Sequence, residues 1–189
     1  MFQFASYSRL MFALLTMLAI GAGSAHAQTE DPGDYEQQVT DERLVAIVMA
    51  LNHLEVQSSN PALTRSTNED VKQYAQKMTA AHNRKLETLQ QLGVEPEPNE
   101  VSQTLRDTAK GVREKLGEAT GTEFDTKYMQ LQISLHQNAL NLLDYTLIPQ
   151  TQDNNLRQQL IEMRAEVDNH LQEAWKIYQS VSQGQDQLD

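Results

Sequence analysis

The chain lacks cysteine, and it is poor in glycine, proline, aromatic residues and basic residues. Without cysteine no disulfide forms, a lipid anchor on an N-terminal cysteine is excluded, and an oxidising compartment makes no redox demand on the fold. Only 15 basic residues stand against 26 acidic ones, which gives a net charge of −11. Because no stretch is rich in lysine and arginine, nucleic acid and anionic lipid are poor partners, whereas a cation is a suitable one.

Signals for β-strands and for a membrane-spanning helix are also absent. No alternating run of valine, isoleucine and threonine is bounded by an Asn-Gly or Asp-Gly turn. The apolar run from Leu10 to Ile20 is too short to span a bilayer, but it has the length found in secretory signals. Arg9 precedes this run, and the small-residue site Ala25-His26-Ala27 follows it. We therefore predict a signal peptide over 1–27, with an uncleaved anchor as the alternative.

A cleaved signal implies export, which in a bacterium means the periplasm or cell envelope, with no membrane insertion after cleavage. The polar segment 28–40 reads as a linker, and the polar residues 182–189 read as a disordered tail. The domain between them, 41–181, belongs to a mature chain of about 160 residues, which buries about two thirds of its unfolded surface. One domain of this size needs no disulfide.

Four segments carry apolar residues at the 4-3-4 spacing of helices that pack on a core. These are helix A, about Asp41 to Arg65; helix B, about Asn68 to Leu92; helix C, about Glu123 to Leu147; and helix D, about Asp153 to Val181. Pro61 predicts a kink or break in helix A near Asn60, and Pro149 predicts the end of helix C. A weaker pattern over 99–117 predicts a further helix between B and C.

These segments predict an all-α fold, a ferritin-like four-helix bundle with a long helix-containing crossover between helices B and C. The connection has about 30 residues, and its helix of roughly 28 Å can cross the length of a bundle. Helices B and C would then run in the same direction. The alternative is an up-down bundle with an extra helix.

Polar residues interrupt the apolar stripes of all four long helices. Glu55, His82, His136 and His170 each lie where the stripe should carry a hydrophobic residue. Imidazole and carboxylate are ligands of Zn, Cu, Fe or Mn, so these four predict a site for a single transition metal. A shared ion requires ligand atoms about 3 to 4.5 Å apart. The alternative is a buried hydrogen-bond network in which Glu55 accepts bonds from one or two histidines.

Other residues carry no such prediction. His53 falls on another side of helix A, as a boundary or packing residue, and the methionines read as core filler. No Ser/His/Asp set, Cys/His set or glycine-rich phosphate loop is present, so an enzyme is less expected than a binding or structural protein. The function classes left open are a metal-binding module, a structural or interaction protein of the envelope, stress-related and without metal, and an enzyme that uses the metal through an open coordination position. No protein partner is predicted.

The stripe residues also carry a family likeness. Glu55, the stretch Val71-Lys72-Gln73-Tyr74-Ala75-Gln76-Lys77-Met78 and His82 resemble the bacterial family called domain of unknown function 4142. Phe124-Asp125-Thr126-Lys127-Tyr128 with His136 resembles the family's third helix, and His170-Leu171 its fourth. The likeness covers about 41–180. It implies an exported, ferritin-like helical protein of a kind often labelled putative outer membrane protein, whose biochemical function is not established.

The chain departs from that family where carboxylates are usual. Ala81 and Leu135 stand directly before the second-helix and third-helix histidines, where the family usually or often has an acid. A di-iron site of the ferritin type needs Glu three residues before the histidine of two helices. Thr79 and Val167 occupy these positions, so a di-iron centre is not expected.

Overall fold

The computed structural model describes residues 39–183, and the regular structure in this range is entirely helical. The predicted signal 1–27, most of the predicted linker 28–40 and most of the predicted tail 182–189 lie outside the described residues. The helices are α1 (Asp41–Arg65), α2 (Glu69–Gln91), α3 (Glu100–Glu118), α4 (Gly121–Leu142), a π-helical segment (Leu143–Leu147), α5 (Ile148–Gln150) and α6 (Asn154–Gln183). No described helix is both long enough and apolar enough to cross a bilayer.

Short polar side chains begin several of these helices by satisfying backbone N–H groups that lack a partner in the first turn. Thr40 accepts from the N–H of Arg43 at the start of α1. Asn68 accepts from two N–H groups at the start of α2. At α3, Asn99 and Ser102 cap each other reciprocally. The sequence-predicted boundaries therefore fall close to the observed ones.

A kink or break was predicted near Asn60, and the break does not occur: α1 is one helix from Asp41 to Arg65 with Pro61 inside it. Proline removes only one hydrogen bond of the helix, and the turn that follows is held by packing. Ala62 is fully buried, and its carbonyl accepts from the N–H of Ser66, which ends the helix.

The helical chain that begins with α4, which corresponds to predicted helix C, also extends past its predicted end at Leu147. The π-helical segment follows α4 directly, and α5 continues to Gln150 with Pro149 in its first turn, where a missing N–H costs little. Arg157 donates to the carbonyl oxygens of Ile148 and Thr151, which have no partner further along the helix.

Contacts between helix ends give the direction of each helix. Asp41 at the start of α1 accepts from the N–H groups of Gln152 and Asp153, at 3.0 and 2.8 Å, just before α6. Asp125 near the start of α4 accepts from the N–H and hydroxyl of Thr67, just before α2. Therefore α1 and α6 start at one end of the bundle, and α2 and α4 start at the other.

Helix α3 connects these two ends. The Arg43–Glu97 ion pair (2.8 Å) and a bond from Asn99 to the Arg43 carbonyl fix its beginning beside the start of α1. A bond from Arg65 to the Ala119 carbonyl fixes its end beside the end of α1. The chain thus returns along α1 from the end of α2 to the start of α4.

The core consists of two hydrophobic clusters, one toward each end of the bundle. Cluster 1, toward the starts of α1 and α6, includes Leu44, Leu51, Leu105, Leu143, Leu156 and Leu160. Cluster 2, toward the starts of α2 and α4, includes Val71, Tyr74, Met78, Phe124, Tyr128 and Ala174. Full burial of a valine, leucine, methionine or phenylalanine side chain in these clusters stabilises the fold by about 1.5–3 kcal/mol.

Candidate metal centre

A layer of buried polar side chains lies between the two clusters. Members of the two clusters flank each histidine along its helix: Met78 and Leu89 around His82, Ile133 and Ala139 around His136, Ala174 and Val167 around His170. The fourth side of the layer comes from α1, where Asn52, Glu55 and Ser58 are buried. Four helices thus place polar groups at the same height in an otherwise apolar core.

The three histidines meet inside this layer. His82, His136 and His170 are 5%, 1% and 5% exposed, and their ring centroids lie 5.6 to 6.0 Å apart. One ring nitrogen of each lies within 4.8 Å of those of the other two. Each ring also has a buried nitrogen without a hydrogen-bond partner in the protein, namely Nε2 of His82, Nε2 of His136 and Nδ1 of His170. The three imidazoles are therefore packed together, and each keeps one ring nitrogen that makes no hydrogen bond within the protein.

Asn52 fixes the tautomer of His82. The Asn52 amide nitrogen donates to the carbonyl of Val48 at 2.8 Å, so its oxygen is left as an acceptor. That oxygen lies 2.9 Å from Nδ1 of His82, which must then carry the proton. Nε2 of His82 is consequently unprotonated, and its free lone pair can bind a metal.

The helix backbone fixes His136 in the same way. Its Nδ1 lies 2.9 Å from the carbonyl oxygen of Gln132, one turn earlier in α4. A carbonyl only accepts, so Nδ1 donates and Nε2 keeps its lone pair. On α6 the backbone of His170 is held by the Tyr74 hydroxyl, which donates to its carbonyl at 3.3 Å.

Burial keeps the imidazoles neutral. Burial lowers the pKa of His136 to about 3, and repulsion between protonated His136 and His170 is a second cause. Burial lowers the pKa of His170 to about 4, helped by Lys77 and Arg84. The pKa of His82 is also well below its usual value, because of burial first and then His136, His170 and Lys85. Near pH 7 no proton competes with a cation for these rings.

Glu55 lies beside the three histidines rather than among them. Its Oε1 is 3.6 Å from Nδ1 of His136, the nitrogen already bonded to the Gln132 carbonyl, and its Oε2 has no partner. Burial raises the pKa of Glu55 to about 8, although a hydrogen bond from the Gln132 side chain opposes this. The network interpretation predicts a hydrogen bond from a histidine to Glu55. The 3.6 Å between Nδ1 of His136 and Oε1 of Glu55 is too long for that bond.

A small pocket between α2 and α6 leads to this layer. It is lined by residues that include His82, His170, Lys85 and Glu166, and it has room for at most about one water molecule. The ammonium of Lys85 lies 3.5 Å from Oε2 of Glu166. The histidines are thus buried, but two of them border a route toward the surface.

The donor set suits one transition-metal ion. The ligand atoms lie within 4.8 Å of one another, a limit slightly above the 3 to 4.5 Å that we expected for a shared ion. At that limit a point equidistant from the three atoms lies about 2.8 Å from each, whereas Zn–N bonds are about 2.0–2.1 Å. Each ring would have to move inward by about 0.7 Å, which is a small side-chain adjustment. Three neutral nitrogens without any thiolate match Zn, Cu or Fe.

The structure brings together some, but not all, of the residues that the sequence analysis singled out. It gathers His82, His136 and His170, sets Glu55 at the outer nitrogen of His136, and leaves His53 exposed. Sequence reasoning missed Asn52 and Gln132, which orient two of the rings. Asn52 could have been noticed, since it is a polar residue directly after Leu51 on a buried helix face.

Sequence comparison identifies a family for the chain. No curated protein and no solved structure matches the chain. A family model described as "Domain of unknown function (DUF4142)" matches residues 25–177, well over half of the chain. The protein with the three-histidine layer described above therefore belongs to the DUF4142 family.

Proposed function

We propose that this chain is an exported bacterial envelope protein that binds one transition-metal ion through His82, His136 and His170. One observation carries the proposal. Three buried imidazoles converge within 4.8 Å, and each keeps a ring nitrogen without a partner in the protein. A buried polar atom without a partner costs about 1–3 kcal/mol, so three together need an explanation that a bound cation supplies.

The neighbours of the rings favour a metal over a simple hydrogen bond. Metal-binding histidines usually donate their other ring N–H to a carbonyl or carboxylate, which fixes ring orientation. Asn52 and the Gln132 carbonyl have this role for His82 and His136. Glu55, which we predicted as a fourth ligand, lies 3.6 Å from the outer nitrogen of His136, so its role as a ligand stays a prediction.

The identity of the ion follows from the donors. Copper(II) binds nitrogen sites more tightly than the other divalent first-row metals, and Zn²⁺ accepts three imidazoles with an open fourth position. We therefore propose Cu²⁺ or Zn²⁺ ahead of Fe²⁺. A di-iron centre is disfavoured because Thr79 and Val167 replace the glutamates that it needs.

We also propose the ferritin-like arrangement for the helices. The contacts of Asp41 with Asp153 and of Asp125 with Thr67 support parallel α2 and α4. The course of α3 along α1 supports the long crossover of that fold.

A second function is favoured by a different observation. The Tyr128 hydroxyl donates to Ser59 at 3.0 Å, and the Gln132 amide donates to Ser58 at 3.1 Å, so polar bonds join α4 to α1 beside the histidines. The layer could then serve as a structural polar network of an envelope interaction protein. In that case added Zn²⁺ or Cu²⁺ leaves the melting temperature unchanged.

Metal content distinguishes the two. Chelator-treated full chain is dialysed against Zn²⁺ or Cu²⁺, and bound metal is measured by mass spectrometry. The metal-site proposal expects about one equivalent for the wild type and less than about a tenth of that for His136→Ala. His53→Ala is the matched control, because His53 is exposed on α1, and it should keep the full equivalent. Equal binding by His136→Ala would assign the metal to surface carboxylates.

A further inference from the structure

The three histidines leave part of a metal's coordination sphere open. Zn²⁺ and related ions take four ligands, and three imidazoles supply three of them. The pocket between α2 and α6 reaches the layer on the side of His82 and His170. Glu55 lies at the outer nitrogen of His136, which contacts the Gln132 carbonyl. The open position and the route to it are therefore bordered by His82 and His170.

A buried cation lines that route. Lys85 lies three residues after His82 on α2, so the two side chains share one face of the helix. Lys85 is only 8% exposed and contacts Glu166, whose side chain is 53% exposed. Lys85 and His82 both line the pocket between α2 and α6. A lysine in this position would repel a free cation but would attract an anion bound to one.

The charges of the loaded site favour an anion. Neutral imidazoles leave a divalent ion with its full charge of about +2 in a buried layer, where an uncompensated charge is costly. Lys85 adds one positive charge, and the negative charge of Glu166 offsets that of Lys85 but not the charge of the ion. An anion on the fourth position would lower the net charge and would lie on the side of Lys85.

We propose that the fourth position takes a small inorganic anion, which enters through the pocket and is stabilised by Lys85. This inference rests on the metal binding proposed above. The pocket holds at most about one water-sized atom group. The ligand therefore binds end-on through one donor atom, and any further atoms extend toward the pocket mouth beside Lys85 and Glu166.

Cobalt(II) and azide test the proposal. The full chain is loaded with Co²⁺, whose visible absorption reports its ligands, and is titrated with sodium azide. We expect a saturable spectral change in the wild type. Lys85→Met should weaken azide binding by about tenfold, and Glu166→Gln should strengthen it, because the two charges act in opposite directions. Lys127→Met is the control, since Lys127 pairs with Glu123 on the surface of α4 and should leave azide affinity unchanged.

The outcomes separate the two proposals. Failure of the wild type to bind Co²⁺, Zn²⁺ and Cu²⁺ overturns the metal site and this inference together, whereas Zn²⁺ or Cu²⁺ binding without Co²⁺ binding keeps the site and overturns the inference. One bound Co²⁺ whose spectrum ignores azide up to about 100 mM overturns only the inference, since the fourth position is then closed. Azide binding that neither Lys85→Met nor Glu166→Gln alters overturns the role of Lys85. Glu166→Gln keeps the test decisive if Lys85→Met does not fold, because Glu166 is largely exposed.

Discussion

Replacement of His136 by leucine separates a metal site from a structural network, because the two assign opposite roles to the same imidazole. In the metal-free protein the substitution removes the bond from Nδ1 to the Gln132 carbonyl, a loss of about 1 kcal/mol. That carbonyl is not left without a partner, since the backbone N–H of residue 136 also bonds to it in the helix. The substitution also removes a buried Nε2 that has no partner, a gain of about 1–3 kcal/mol.

Leucine is similar in size to histidine and matches the apolar residues on either side of the layer. We therefore expect His136→Leu to have a metal-free free energy of unfolding between unchanged and about 2 kcal/mol higher than that of the wild type. The measurement is urea denaturation in EDTA at pH 7.5, with linear extrapolation to water. Added Zn²⁺ should then stabilise the wild type and leave His136→Leu unchanged.

His53→Leu provides the control for the same chemical change on an exposed site, and it should alter stability by less than about 0.5 kcal/mol. A loss of more than about 2 kcal/mol in metal-free His136→Leu would refute the reasoning. The imidazole would then be holding the bundle together through its own hydrogen bonds, as the structural interpretation requires.

Four further predictions follow from the same geometry. Zn²⁺ at a hundredfold excess over its dissociation constant should raise the melting temperature by about 5 to 11 °C, and an unchanged temperature in a calorimetric scan would count against the site. Asn52→Ala should keep the metal stoichiometry but weaken affinity about 10- to 100-fold in a competition assay with a chelating dye, since His82 loses its orienting acceptor. Glu55→Gln should still hold about one equivalent, and loss of the metal would make the carboxylate a direct ligand. In the metal-free protein, the His136 pKa falls from 6.5 to about 3 on folding, so the unfolded chain takes up this proton first. Stability should therefore be full above pH 6.5 and fall below it by up to about 1.4 kcal/mol per pH unit for such a group. Glu55, raised from 4.5 to about 8, acts oppositely: it favours the fold below pH 4.5, and this contribution is lost as the pH rises toward 8. Urea titrations across pH 4.5 to 8 should show a weaker acid dependence in His136→Leu than in the wild type.

Much of the fold could be predicted because helix periodicity and capping act locally. The apolar stripes and the caps at Thr40, Asn68 and Asn99 set the helix boundaries to within a few residues. The exceptions are the two prolines. Pro61 is overridden by packing around Ala62, and the chain near Pro149 is held by Arg157 from the next helix. Both effects are tertiary and leave no local signal.

The candidate site was predictable only as a set of helix faces. Stripe positions identified the three histidines as inward-facing, but their common height depends on the loops between helices and on helix register. The position of Glu55 depends on a side-chain rotation, which places its carboxylate beside Nδ1 of His136. The partners Asn52 and Gln132 act through hydrogen bonds across or along helices, and these become visible only once the rings are placed.

X-ray absorption at the zinc edge tests the central claim most directly. The full chain is loaded with one equivalent of Zn²⁺, and His53→Ala serves as the control that retains every layer histidine. The account predicts three imidazole nitrogens at about 2.0–2.1 Å, with loss of this signature in His136→Ala. A coordination shell made only of oxygen, and unchanged in His136→Ala, would place the ion on surface carboxylates and contradict the account.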